Sequence, residues 1–174
     1  MKKKLNPRRI PLAKSEINKD KIIEEAMKDD MYHAWLLVAN SLIDLELAQP
    51  SQIQNICDSV EQFARKEAHK EEMKRADELM GIRPMPRLDA SRVTSTVELA
   101  KFKKKVERVA LHTSLSVICL GLEATGRYSD MDLRRIFMSA DLTQAEIDAG
   151  GESYDNLERI LLNQMVKIEL DEEL

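Results

Sequence analysis

Cations recur along this chain at spacings that could hold phosphate. In the stretch KFKKKVERVA, Lys101, Lys104 or Lys105, and Arg108 fall three or four residues apart, which puts them on one face of a helix. Arg127, Arg134 and Arg135 follow and could extend that patch across the next helix. A second basic group, Lys2, Lys3, Lys4, Arg8 and Arg9, crowds the opening MKKKLNPRRIPLAK. Phosphate binding needs cations gathered on one surface. Of the aromatic rings that would stack bases, only Phe102 and Tyr128 lie nearby. A solvated helix face accounts for the same pattern. These cations are therefore candidate contacts for nucleic acid or for a protein partner.

Reactive side chains are not arranged for catalysis. No Ser-His-Asp or Cys-His set and no Gly-rich phosphate loop can be read. His33, His69 and His112 are dispersed and read as surface or packed histidines. Cys57 and Cys119 sit in apolar helical patterns with no Cys or His at ligand spacing, so they read as buried, reduced thiols. The sequence predicts no catalytic residue, no metal and no cofactor.

The elements that carry these residues are helices. Only 4% of residues are aromatic, strict alternation is scarce, and prolines and glycines are few and clustered. The fold class predicted is all-α, a helical bundle. A first helix spans about Ser15 to Leu47, charged early and apolar later. Pro50 and Ser51 open a second, with Ser51 and Gln54 as its capping box. Its stripe is Ile53, Ile56, Cys57, Val60, Phe63 and Ala64, and it runs on to Gly81. GIRPMPRLDA, residues 81–90, is the linker. A third helix runs from Ser91 or Ser95 to Ala124, with Ser95 and Glu98 as a second box. Gly126 ends it and Ser129 caps a fourth, whose core stripe is Leu133, Ile136, Phe137 and Ala140. Thr143 and Glu146 cap a short helix stopped by Gly150–Gly151, and a last helix spans Ser153 to Ile168. Trp35 and the nine methionines read as core.

Two modules are expected, 1–80 and 91–174, each with a long helix that changes from charged to apolar. At a shift of 77 residues Pro7 meets Pro84, Ala13 meets Ala90, Lys28 meets Lys105, and Leu45–Glu46 meet Leu122–Glu123, which suggests an internal duplication. In that case the two long helices pack together at the bundle centre. The net charge of −4 conceals six basic and no acidic side chains in residues 1–14. From Glu146 onward there are nine acidic side chains against Arg159 and Lys167. A basic head suits an acidic partner, whereas the acidic tail repels phosphate. With no apolar run of membrane length and no signal-peptide pattern, a cytoplasmic protein without membrane contact is expected.

Three resemblances accompany this reading. The segment LRRIFMSADLTQAEIDAGGESYDNLERI is similar to a lambda-repressor-like helix-turn-helix through Leu133, Arg134 and the LTQAE of residues 142–146. That resemblance implies a DNA-binding regulator using residues 129–160, with Tyr154, Asp155 and Leu157 on the helix that enters the major groove. Against it, Arg159 stands as the lone cation among Glu152, Asp155 and Glu158. The segment EEAMKDDMYHAWLLVANSLIDLELA resembles part of an all-α nucleotide pyrophosphohydrolase, which implies magnesium-binding acids at Glu24, Glu25, Asp29 and Asp30, with Asp29 or Asp30 reaching His33. The family's second acidic helix is absent, since the lead-in is basic and broken by proline. Finally, NPRRIP, residues 6–11, followed by a charged and then an apolar helix, resembles small uncharacterised helical proteins of phages and prophages.

The expected function is therefore a non-catalytic interaction protein of phage or mobile-element origin that binds and modulates a host protein or nucleoprotein complex, anti-defence inhibition being one instance. Homo-oligomerisation is compatible with it. A DNA-binding regulator and a magnesium-dependent pyrophosphohydrolase are the alternatives.

Overall fold

The computed structural model describes residues 19–64, 70–81, 88 and 93–170, and these form an all-α bundle. Among the described residues six helices follow one another: α1 (Lys19–Asp44), α2 (Ile53–Ala64) after one 3-10 turn at Pro50–Gln52, α3 (Lys70–Met80), α4 (Thr96–Ala124), α5 (Asp130–Ala149) and α6 (Tyr154–Asn163). The basic lead-in with Lys2, Lys3, Lys4, Arg8 and Arg9, the NPRRIP hexamer, His69 and most of the linker lie outside the described residues, as do residues 65–69 between α2 and α3.

Two helices form the centre because their C-terminal halves are largely buried on every side. From Ala34 to Ala39, six consecutive α1 residues are buried, Trp35 among them. On α4, Ser114, Leu115, Ser116 and Ile118 to Leu122 are buried in the same way. A helix with no polar face has to be enclosed by others. The α1–α4 contact is the most extensive among the described helices, so the expected central pair is present.

Around this pair the halves exchange their covering. The short helices α2 and α3 pack on α4, while α5 and α6 pack on α1. Each central helix is thus enclosed mainly by helices from the other half. The buried residues of both halves accordingly join in one core that includes Leu37, Leu42, Ile53, Ile56, Ile118, Leu122, Ile136 and Phe137. A smaller cluster of Val93, Phe102 and Val106 closes the N-terminal ends of α1 and α4, with Ile22, Ala26, Leu88 and Leu99 against it.

Helix boundaries follow the expected caps in some places and not in others. Ser95 accepts from the Glu98 N–H at 3.4 Å, and Ser129 forms a full capping box with Asp132. The Glu98 carboxylate reaches past Ser95 to the N–H and hydroxyl of Thr94, at 2.9 and 2.8 Å. The expected Ser51–Gln54 box is replaced by Gln52, whose side chain accepts from the Gln49 N–H at 2.9 Å. Gln54 is used elsewhere. The first helix stops at Asp44, short of Leu47, because Glu46 takes φ 57° and the Leu47 N–H turns back to the Leu42 carbonyl.

The largest correction concerns residues 141–149. No helix begins at Thr143, and α5 runs unbroken from Asp130 to Ala149. The Thr143 hydroxyl donates to the Ser139 carbonyl one turn back at 3.2 Å, an ordinary position inside a helix. The last helix is likewise shorter than expected. It ends at Asn163, Met165 takes φ 62°, and the chain continues without regular secondary structure through Leu170. Val166 and Ile168 bury themselves in alternation with exposed Lys167 and Glu169. The Gln54 amide holds this segment, donating to the Glu169 carbonyl and accepting its N–H, both at 3.2 Å.

Candidate functional site

Between the N-terminal part of α4, the C-terminal part of α5 and the first turns of α1 lies a cleft of about 850 Å³. Its floor is apolar, built from Ile22, Ala26, Leu111, Leu115 and Ile147. The α4 wall carries Lys103, Lys104 and Arg108, with Glu107 among them, and the α5 wall carries Asp141, Gln144 and Asp148. The two walls thus have opposite signs. Arg108 and Asp148 face each other at 3.8 Å, both well exposed. A pair so solvated contributes little to stability.

One end of the cleft is closed by a polar cluster. The His33 and Tyr154 rings stack with centroids 3.9 Å apart and planes 10° from parallel. Asp30 is buried, and one of its oxygens stands 3.6 Å from His33 Nδ1, so the expected Asp30–His33 proximity exists. Its other oxygen is buried without a hydrogen-bond partner among the described residues. The Tyr154 hydroxyl hydrogen-bonds to Gln144, and the Tyr32 hydroxyl donates to Glu158 at 2.7 Å. Burial, reinforced by the negative charges of Asp30 and Asp148, pushes the Tyr154 phenol up to about 12. Tyr32 is pushed up to about 12 by burial and then by its bond to Glu158. Both rings therefore stay neutral donors at physiological pH and pin α6 against α1 and α5.

The remaining histidine contact is also a tie between helices. Buried His112 on α4 meets Asp77 of α3 at 2.9 Å. At the far end of α4, Arg75 of α3 bridges Glu123 and Asp130, at 3.0 and 3.1 Å. The two cysteines are buried and free, and burial raises both thiols, Cys119 to about 12. Among the described residues no three His, Cys, Asp or Glu side chains converge as a metal site. The side chains of Glu24, Glu25 and Asp29 lie outside the described set.

The expected basic patch is divided. Lys104 and Arg108 share the cleft wall with Lys103, Lys101 is exposed beside them, and Lys105 is half-buried. Arg127, Arg134 and Arg135 are exposed at the opposite end of the bundle, because roughly 24 Å of helix separates Arg108 from the end of α4. The helix expected to enter a DNA groove turns its key residues inward. Leu157 is buried and Tyr154 is stacked on His33, which leaves Asp155 and Arg159 outside.

Sequence reasoning also missed an exposed apolar line. Met131, Met138 and Leu142 on α5 are 73%, 58% and 66% exposed, on the side opposite Leu133, Ile136, Phe137 and Ala140. Counting methionines as core concealed it, although spacings of seven and four residues place these three on one face. No protein-family model, no curated protein and no solved structure matches the chain.

Proposed function

We propose that this chain is a non-catalytic interaction protein whose cleft grips a helical or extended segment of a host protein. The opening hexamer suggests that it is an accessory protein of a phage or other mobile element, and inhibition of a host defence complex is one instance of such a role. The observation that carries the reading is the opposition of charge across the cleft: Lys103, Lys104 and Arg108 on one wall, Asp141 and Asp148 on the other, over an apolar floor. An amphipathic segment with acidic residues on the edge toward α4 and basic residues on the edge toward α5 complements it, its apolar side settling on Leu111, Leu115 and Ile147. A nucleic acid would meet Asp141 and Asp148 as well as the lysines, and those carboxylates repel phosphate.

The test is capture from host lysate with nuclease present, comparing wild type with Lys103→Glu/Lys104→Glu and with Arg134→Glu/Arg135→Glu. All four residues are exposed, so the variants keep the fold. A stoichiometric protein lost from the first variant and kept by the second is the expected result. Capture that the cleft variant leaves untouched, or recovery of nucleic acid alone when nuclease is omitted, overturns it. The second of those outcomes favours the DNA-binding alternative.

A further inference from the structure

We infer that α5 pairs with α5 of a second copy of this chain, antiparallel, about a two-fold axis beside Met138. This goes beyond the proposed function and uses the outer stripe of α5, which shares only Asp141, at its edge, with the cleft wall.

Three features make the stripe complementary to itself. The apolar residues Met131, Met138, Leu142 and Ala145 recur at spacings of seven, four and three, all exposed, as in a seam between two helices. Large and small residues are placed for exchange, since Met131 lies seven residues before Met138 and Ala145 seven after. In an antiparallel pair centred on Met138, each Met131 therefore covers the Ala145 of the other copy. Charge is placed in the same way. Arg134 and Asp141 are two turns apart on one edge of the stripe, four residues before Met138 and three after. The two-fold brings each Arg134 against the Asp141 of the other copy. Both are exposed, and neither has an ion-pair partner among the described residues. A parallel two-fold pairing would instead set that edge against the opposite edge of the other copy, so Arg134 would not meet Asp141.

One helix face is smaller than the roughly 800 Å² per partner of a standard interface. Association should therefore be weak, with half-dimerisation at micromolar to millimolar concentration.

Sedimentation velocity from about 1 µM to 1 mM gives the first readout. Arg134→Asp and Asp141→Arg should each weaken dimerisation about tenfold, by setting like charges opposite each other. The double exchange Arg134→Asp/Asp141→Arg should restore it, because the pair survives with its signs reversed. No unrelated partner would respond in that way. Met138→Cys provides a second readout that does not depend on charge. It should cross-link at the axis under mild oxidation, while Met131→Cys, facing Ala145, should not. The native thiols of Cys57 and Cys119 are buried and stay silent. A chain that remains monomeric throughout the series, a double exchange no better than either single one, or equal cross-linking at positions 131 and 138 overturns the pairing. Because Lys103 and Lys104 lie outside the stripe, their reversal should leave dimerisation unchanged. Failure of the cleft reading and failure of this one are thus told apart.

Discussion

Gly121 of α4 and Val60 of α2 meet so closely that a β-carbon on the glycine would stand 2.6 Å from Val60 Cγ1. Both residues are buried at the crossing of the two helices. A glycine inside a helix is ordinarily a weakness worth about 1 kcal/mol relative to alanine. Here the missing side chain is what lets α2 approach.

Gly121→Ala should therefore destabilise the protein by about 1–2 kcal/mol, overpacking outweighing the gain in helix preference. The branched Val60 side chain has little room to turn away. Adding Val60→Ala removes the two methyl groups, though the β-carbon at 3.0 Å remains, and should make the glycine substitution less costly in that background. Urea denaturation of the four members of this cycle measures the coupling. Additive losses would mean that the backbones had simply moved apart.

Met165 should show the opposite sign. It holds φ 62° and is 96% exposed, so its side chain packs on nothing while its backbone occupies a conformation that disfavours a β-carbon. Met165→Gly should raise stability by roughly 0.5–1 kcal/mol, the strain relieved being partly offset by the freer unfolded chain. Thermal denaturation checks it, and a lower melting temperature would contradict the assignment of the left-handed turn.

Acid should weaken the fold through its helix caps. The Ser129 hydroxyl, and then its backbone N–H, hold the Asp132 carboxyl below its ordinary 3.8. The Ser153 N–H and the Asn156 amide do the same for Glu152, whose ordinary value is 4.5. A carboxyl depressed in the folded state lends stability above its unfolded value and loses it as pH falls through the folded one. Melting temperature should thus decline below about pH 4.5, and Asp132→Asn should flatten the part of the curve below pH 3.8. An unchanged acid limb in that variant would remove the cap from the account.

Much of the fold was legible because its signals are local. The core stripe of α5 and the caps at Ser95 and Ser129 follow from spacing alone. So do the ends at Gly81, Gly126 and Gly150, where a glycine takes positive φ. The missed ends share one cause. Glu46 and Met165 make left-handed turns without glycine, held by bonds back to Leu42 and Leu161 that no residue type announces. Thr143 misled for the converse reason, since a hydroxyl that can cap a helix can equally bond within one. The cleft was half visible. Lys104 and Arg108 were readable as a face, but Asp141 and Asp148 stand opposite them only because α5 folds back beside α4, which no local pattern encodes.

The exchanged covering of the two central helices bears on how the chain is made. During synthesis α1 emerges long before α5 and α6, the helices that later enclose it, and α2 and α3 emerge before the α4 surface on which they rest. The first eighty residues thus leave the ribosome with Trp35 and its neighbours uncovered, and they cannot complete a core until the last helix is free. A truncation ahead of α6 should yield a species prone to aggregation rather than a smaller stable protein. Two fragments divided near residue 88, each unfolded alone, should regain helical structure when mixed.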